Sequence, residues 1–296
     1  MYLAIMYKNI VPRVAAIHDL SGFGRSSLTV IMPILSTMGI QVCPLPTAVL
    51  STHSAFPDFH FHDLTNEMSP IIEHWKRLDL RFDAIYSGYM GSAKQIDILR
   101  DFISDFHHEE QLIVVDPVLG DNGKLYRSFS SEMIDKMKEL VRYANVITPN
   151  LTEAAFLLDE PYSENLTEAE LKDWVKRLSA FGPQTVIITS APVTGNRGKT
   201  SVVAYNSTDN RYWKVVCDYM PASYPGTGDA FASVIAGSLL QGDSLPIAID
   251  RAVQFISIAV RATFGYNYQP SEGILLEKVL SSLNAPVQLS SYQLLD

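Results

Sequence analysis

The stretch Pro225-Gly226-Thr227-Gly228-Asp229-Ala230-Phe231-Ala232 concentrates the chemistry of this chain. Two glycines flank Thr227 and permit a tight turn directly ahead of an Ala-rich helical pattern. Successive backbone N–H groups then converge at a positive helix N-terminus, which suits a phosphate or a developing anion. Asp229 falls in the first turn, at the mouth of that pocket. A carboxylate beside an anion pocket is a poor arrangement for storing phosphate. It is a good one for a base that deprotonates an alcohol attacking a phosphoryl group. On local grounds alone, Asp229 reads equally well as a favourable first-turn acid. The segment is not a Walker loop, since GxxxxGK[ST] is absent, and no GxGxxG follows the first apolar run.

Further acids stand at comparable places. Asp116-Pro117-Val118-Leu119-Gly120-Asp121 puts two after a buried apolar run, and Asn150-Leu151-Thr152-Glu153 puts an amide and an acid one helical turn apart. Mg²⁺ bound with a nucleotide uses one or two carboxylates plus waters and phosphate oxygens, and such sparse spacing fits it. A capping box, with Asn150 as cap and Glu153 at the third position, explains the second segment without any ligand. His18-Asp19, Ser87-Gly88-Tyr89, Thr148 and Thr189-Ser190 also follow apolar runs. Polar groups after so many runs point to one shared cleft at the carboxyl ends of the strands.

The elements that must position these residues are short apolar runs alternating with helical patterns. Val14–Ile17, Ala84–Tyr86, Leu112–Val115, Asn145–Thr148 and Thr185–Ile188 are continuous and largely β-branched. Strands covered on both faces look like this, which predicts a parallel sheet in an α/β protein. Val42–Leu45 is a further candidate strand, interrupted by Pro44 and Pro46. Helical patterns run over Arg25–Met38 (ending at Gly39, a C-cap), Lys94–Phe106, Asp229–Leu240 and Leu245–Thr263. Thr200–Asp218 reads as an antiparallel hairpin around NSTDN. Without a repeat, a low-complexity tract or a long linker, the 296 residues read as one domain with a core over about 13–284.

Composition narrows the function. With 23 basic and 32 acidic residues the net charge is −9, which argues against nucleic-acid binding, because phosphate contacts need Lys and Arg. Cys43 and Cys217 cannot build a disulfide framework and read as small apolar interior residues of a cytoplasmic protein. No apolar run approaches the ~20 residues of a membrane span. MYLAIMYKNIVPR reads as lacking a basic leader and a cleavage site, with Met6 an alternative start. His53 reads as a structural histidine and His107-His108 as solvated surface.

DPVLGD (116–121), NLTE (150–153) after a Thr-Pro turn, and GTGDAFAS (226–233) together resemble the ribokinase-like superfamily of small-molecule kinases, over about Arg13 to Ile274. The resemblance implies a three-layer α/β/α fold with a mostly parallel sheet and an antiparallel edge. It is strongest to the vitamin branch, the pyridoxal and hydroxymethylpyrimidine kinases, which lack the lid of the sugar kinases. Asp116–Asp121 followed by Gly123 and Tyr126, Ser87-Gly88-Tyr89, Ser51-Thr52-His53-Ser54 and the acid at 229 resemble pyridoxal kinases. Hydroxymethylpyrimidine kinases commonly carry Cys where Asp229 stands. Asp19-Leu20-Ser21-Gly22 departs, resembling the Asp-Pro-Ser-Gly of the pyrimidine kinases where a ring-binding Ser is usual.

The implied activity is ATP-dependent phosphorylation of the hydroxymethyl group of vitamin B6 vitamers. The alternatives are a hydroxymethylpyrimidine kinase and, more distantly, a non-catalytic vitamer- or nucleotide-binding protein. By resemblance, Asp229 is the base, and Gly226, Thr227 and Gly228 give N–H groups to the transferred phosphoryl. Asp116 and Glu153 hold Mg²⁺ largely through water, with Asp121 a weaker candidate. Thr148, Asn150, Thr189 and Ser190 line the nucleotide, while Asp19, Ser54 and Tyr89 surround the substrate ring. A monovalent cation and a homodimer are also implied, with neither nucleic acid nor membrane as a partner.

Overall fold

The computed structural model describes residues 9–127, 129–196, 198–286 and 291–295, and both candidate starts, Met1 and Met6, lie outside them. The strands are β1 (Arg13–Phe23), β2 (Gln41–Thr52), β3 (Phe61–Asp63), β4 (Ala84–Ser87), β5 (Leu112–Val115), β6 (Gly120–Asp121), β7 (Lys124–Leu125), β8 (Val146–Ile147), β9 (Thr185–Pro192), β10 (Lys199–Asn206), β11 (Arg211–Asp218) and β12 (Tyr292–Leu295). The α-helices are α1 (Leu28–Thr37), α2 (Thr65–Arg77), α3 (Ala93–Phe106), α4 (Ser131–Leu140), α5 (Leu151–Leu158), α6 (Glu168–Ser179), α7 (Thr227–Leu240) and α8 (Leu245–Phe264).

Ten strands form one sheet in the order β12-β11-β10-β9-β8-β5-β4-β1-β2-β3. From β9 to β2 every pairing is parallel, as the continuous apolar runs predict. All four residues of β4 are buried. One face packs on α2 to α6 through Met68, Ile103, Met137, Leu157 and Trp174. The other packs on α1, α7 and α8 through Ile31, Ile34, Ile235 and Phe255. This is the three-layer α/β/α arrangement, and it leaves the carboxyl ends of the parallel strands as a common rim.

Several expectations need adjustment. The first strand does not stop at Ile17 but continues to Phe23, carrying His18 and Asp19 inside the sheet. The second runs to Thr52 through both prolines. Pro44 and Pro46 are two apart and so present the same side, while β3 covers this strand only from Ala48 to Leu50. Their missing N–H groups therefore fall on an open edge, where proline removes no ladder bond. The antiparallel pairing is found at both edges: β3 on β2, and β10, β11 and β12 beyond β9. β12 also carries the sheet past residue 284. Gly39 does close α1. At φ 76° it accommodates a Schellman motif, with Gly39 N–H on the Ser36 carbonyl and Ile40 N–H on the Leu35 carbonyl, both at 3.0 Å. His108 is half-buried and bonds the Phe82 carbonyl at 2.9 Å, so only His107 belongs to the solvated surface.

Away from the rim, Phe82 is 1% exposed and packs on Trp75, Phe102 and Phe106 with ring centroids 5.3 to 6.0 Å apart. Truncating such a buried aromatic costs about 3–5 kcal/mol. Phe82→Ala should lower the unfolding midpoint in urea accordingly while leaving KM of the folded fraction unchanged. A shifted KM would mean that this cluster and the rim are mechanically linked.

Candidate active site

The site begins where α7 meets the rim. Gly226 caps the helix at φ 80°, and a Cβ there would sit 2.4 Å from the Arg25 carbonyl oxygen. Only glycine satisfies both conditions. The N–H groups of Thr227, Gly228 and Asp229 occupy the first turn, where no helix carbonyl can accept them. The Thr227 hydroxyl is engaged, donating to the Tyr224 carbonyl at 3.0 Å. Asp116 faces this turn: its Oδ2 lies 4.0 Å from where a Gly228 Cβ would stand. The missing side chain keeps that carboxylate and the anion pocket in one space.

Asp229 is partly exposed and accepts the Ser27 N–H at 2.8 Å. Its carbonyl accepts the Tyr86 hydroxyl at 3.3 Å, which braces the first turn of α7 onto β4. Asp116 accepts the Thr148 hydroxyl at 3.1 Å. Glu153 accepts Asn150 N–H at 2.8 Å and Leu119 N–H at 3.2 Å. Asn150 Oδ1 in turn accepts the Glu153 N–H, completing the capping box. The Asn150 amide also donates to the Gly120 carbonyl, so this side chain is taken up by the backbone and does not line the cleft.

Asp19, Asp116, Glu153 and Asp229 share one electrostatic environment. Desolvation is the main cause that raises each of them. Asp116 is pushed up to about 7, with repulsion from Asp229 second and the Thr148 bond opposing. Asp229 is pushed up to about 6, with Asp19 adding repulsion and the Ser27 N–H opposing. Burial and then Asp116 hold Glu153 well above the ordinary glutamate range. Among the described residues, no basic group contributes to the shift of any of the four. A divalent cation between Asp116 and Glu153 would relieve that repulsion, so the residues fit Mg²⁺. Among the described residues no cluster of three or more acids, histidines or cysteines is placed to hold a metal by itself. Asp121 is exposed and bonds Asn122.

A cleft of about 160 Å³ opens beside the first turn of α7. Its lining mixes polar residues, among them Thr148, Thr189, Ser190 and Thr227, with apolar ones such as Val202, Phe231, Val253 and Ile256. The structure thus unites Thr148, Thr189 and Ser190 with the glycine turn. Cys217 is half-buried and lines this cleft. Around the expected ring site, Tyr89 is half-buried and stacks on Phe129 with centroids 5.6 Å apart and planes at 19°. Ser54 is exposed on the loop after β2, next to His53, whose ring fills the space above Gly24. Ser27 and Tyr86 escaped sequence reasoning because their partner Asp229 is 202 and 143 residues away.

Residues 62–273 match the phosphomethylpyrimidine kinase family. The chain belongs to that family. It is an alcohol-acceptor phosphotransferase, and its site is one that such chemistry needs. Among solved structures, a Bacteroides thetaiotaomicron VPI-5482 protein provisionally assigned as a phosphomethylpyrimidine kinase is 62% identical. Its TM-score is 0.95, covering 98% of this chain and 100% of that one. A second crystal form of that protein contains pyridoxal. The pyridoxal kinase of Lactobacillus plantarum is 31% identical with a TM-score of 0.84, covering 93% and 96% of the two chains. The Arabidopsis thaliana pyridoxal kinase is 27% identical over 262 residues, 84% of this chain and 82% of its own length.

The raised Asp229 has a consequence for stability. Its pKa is about 6 in the folded chain against 3.8 ordinarily. Between these values the native state binds more protons than the unfolded one, so this group's contribution falls as pH rises through the window and is flat above it. Asp229→Asn removes that loss. Its melting temperature should exceed the parent's at pH 8 and match it near pH 3.5. Equal temperatures at pH 8 would mean that the carboxylate is not held in an unfavourable environment.

Proposed function

We propose that this chain phosphorylates the hydroxymethyl group of vitamin B6 vitamers (pyridoxal, pyridoxamine and pyridoxine) with ATP. One observation carries the reading: Asp229, bonded by the Ser27 N–H and by no described basic group, stands in the first turn of α7, which a second carboxylate, Asp116, also faces. Pyridoxal bound by the 62%-identical Bacteroides protein supports the vitamer as acceptor.

In this reading the adenine packs in the cleft against Phe231, Val253 and Ile256. Thr148, Thr189 and Ser190 lie along the phosphates, and the Tyr89–Phe129 stack gives the vitamer ring a flat wall. The hydroxymethyl oxygen attacks the γ-phosphorus and gives its proton to Asp229. An O–P bond forms, the bond from the γ-phosphorus to the bridging oxygen breaks, and ADP leaves with the electron pair. The N–H groups at Gly226–Asp229 meet the charge that spreads over the transferred oxygens. Asp116 and Glu153 would hold Mg²⁺, which supplies charge neutralisation to the triphosphate. With Asp229 near 6, the base is ionised at neutral pH yet close enough to it to accept a proton readily.

A second reading, a hydroxymethylpyrimidine kinase, is favoured by the family match and by Asp19 within β1, where pyridoxal kinases usually carry a serine. Turnover of pyridoxal, pyridoxamine, pyridoxine and hydroxymethylpyrimidine with Mg-ATP, measured side by side, separates the two. The vitamers are expected to win, and a faster pyrimidine reaction would reverse the assignment. Asp229→Asn should lower single-turnover phosphorylation by ~10²–10⁴-fold, the usual worth of a general base. Calorimetric ATP affinity should change less than about tenfold, because the base does not hold the ground-state nucleotide. Loss of ATP binding together with turnover would make Asp229 a structural or metal-linked residue.

A further inference from the structure

Asp19 is the one ring-site candidate that departs from the pyridoxal kinase pattern, and its surroundings give it a different task. It is 5% exposed, and both its oxygens are engaged. Oδ1 accepts the Ser27 hydroxyl at 2.5 Å, and Oδ2 accepts the Ser21 hydroxyl at 3.4 Å. Ser27, itself buried, holds φ 51° and ψ −130°, a left-handed conformation that glycine takes freely and serine resists. The hydroxyl makes no capping bond to α1, so helix capping does not explain this backbone. What the conformation does is aim the Ser27 N–H at Asp229 Oδ2, 2.8 Å away. One residue thus donates to two acids at once: side chain to Asp19, main chain to Asp229.

We propose that Asp19 is a positioning residue for phosphoryl transfer: its carboxylate grips the Ser27 hydroxyl and holds the left-handed Ser27 backbone, whose N–H orients Asp229 toward the attacking alcohol. The proposal rests on Asp229 being the base. It assigns Asp19 no contact with the substrate ring. Instead, Asp19 sets how often the base is aimed correctly, and misplacement of a reacting group by about 1 Å is worth roughly 10²-fold in rate.

The experiment separates the two roles of Asp19 by comparing kcat with KM. Asp19→Ala should lower kcat roughly 10- to 100-fold, leave KM for pyridoxal within about twofold and leave the pyridoxal-to-pyridoxamine ratio unchanged. Asp19→Asn retains an acceptor for the Ser27 hydroxyl and should recover most of the lost kcat, which also guards against misfolding of the alanine variant. Ser27→Gly adopts the left-handed backbone without help. The double variant Asp19→Ala/Ser27→Gly should therefore turn over several-fold faster than Asp19→Ala alone. A changed KM or vitamer ratio, with no recovery in the double variant, would overturn the proposal and return Asp19 to the substrate.

A readout independent of turnover accompanies this. The Ser27 amide proton, followed by NMR, should titrate with Asp229, lose that titration in Asp229→Asn, and move toward random-coil shift in Asp19→Ala. An amide that ignores both substitutions refutes the arrangement. If the parent protein phosphorylates no vitamer, the proposed function fails, and the amide measurement alone decides whether Asp19 controls the Ser27–Asp229 bond.

Discussion

The close seating of the α7 N-terminus on the strand ends governs this molecule. Gly226 lies against the Arg25 carbonyl where no side chain fits, the Tyr86 hydroxyl braces the Asp229 carbonyl, and Ser27 N–H meets the Asp229 carboxylate. These contacts join the segment between β1 and α1, the strand β4 and the helix α7. The helix brings its unsatisfied N–H groups, its positive end and Asp229, while Asp19 comes from β1, Asp116 from the end of β5 and Glu153 from α5. Neither part has the chemistry of a transferase alone. Behind the turn, α7 is buried along Ala230–Ser238, so its small residues let the helix approach the sheet closely and the docking is stiff. A base held on that helix inherits the stiffness of the core.

Crowding acids in this way opposes folding. Asp19, Asp116, Glu153 and Asp229 are desolvated without a basic partner among the described residues. Local hydrogen bonds offset part of the penalty: Thr148 for Asp116, two backbone N–H groups for Glu153, and Ser27 for both Asp19 and Asp229. The remainder is uncompensated repulsion, which a divalent cation, if bound there, would relieve. Departures from stable design of this kind are expected at functional sites. The surface follows the opposite rule, with exposed pairs such as Arg177 with Asp173 and Arg261 with Asp218 compensating one another.

Glu153 shows that a structural and a functional reading need not exclude each other. The capping box that explains Asn150-Leu151-Thr152-Glu153 locally is present in full. The same bonds turn the Glu153 carboxylate toward Leu119, on the segment that follows Asp116, and bring the two acids into repulsion. The cap is therefore how the acid is positioned. Asn150 holds the backbone on both sides, with Oδ1 on the Glu153 N–H and its amide on the Gly120 carbonyl.

The sequence by itself determined the layers and most of the reactive groups. Unbroken apolar runs such as Leu112–Val115 could only be covered on both faces, and Pro-Gly-Thr-Gly-Asp before an Ala-rich helix could only be a tight turn into a helix start. Both are local consequences of side-chain type and backbone freedom. Tertiary structure decided what depends on partners distant in the chain. The first strand runs on to Phe23 because β2 continues to pair with it, the prolines of β2 are tolerated because an edge lies beside them, and a second antiparallel edge is completed by β3. Ser27 carries no signal of its own, since its importance comes from Asp19 on one side and Asp229 on the other. The rise in the carboxylate pKa values was equally hidden, because desolvation and repulsion exist only once folding has brought the charges together and removed the water between them.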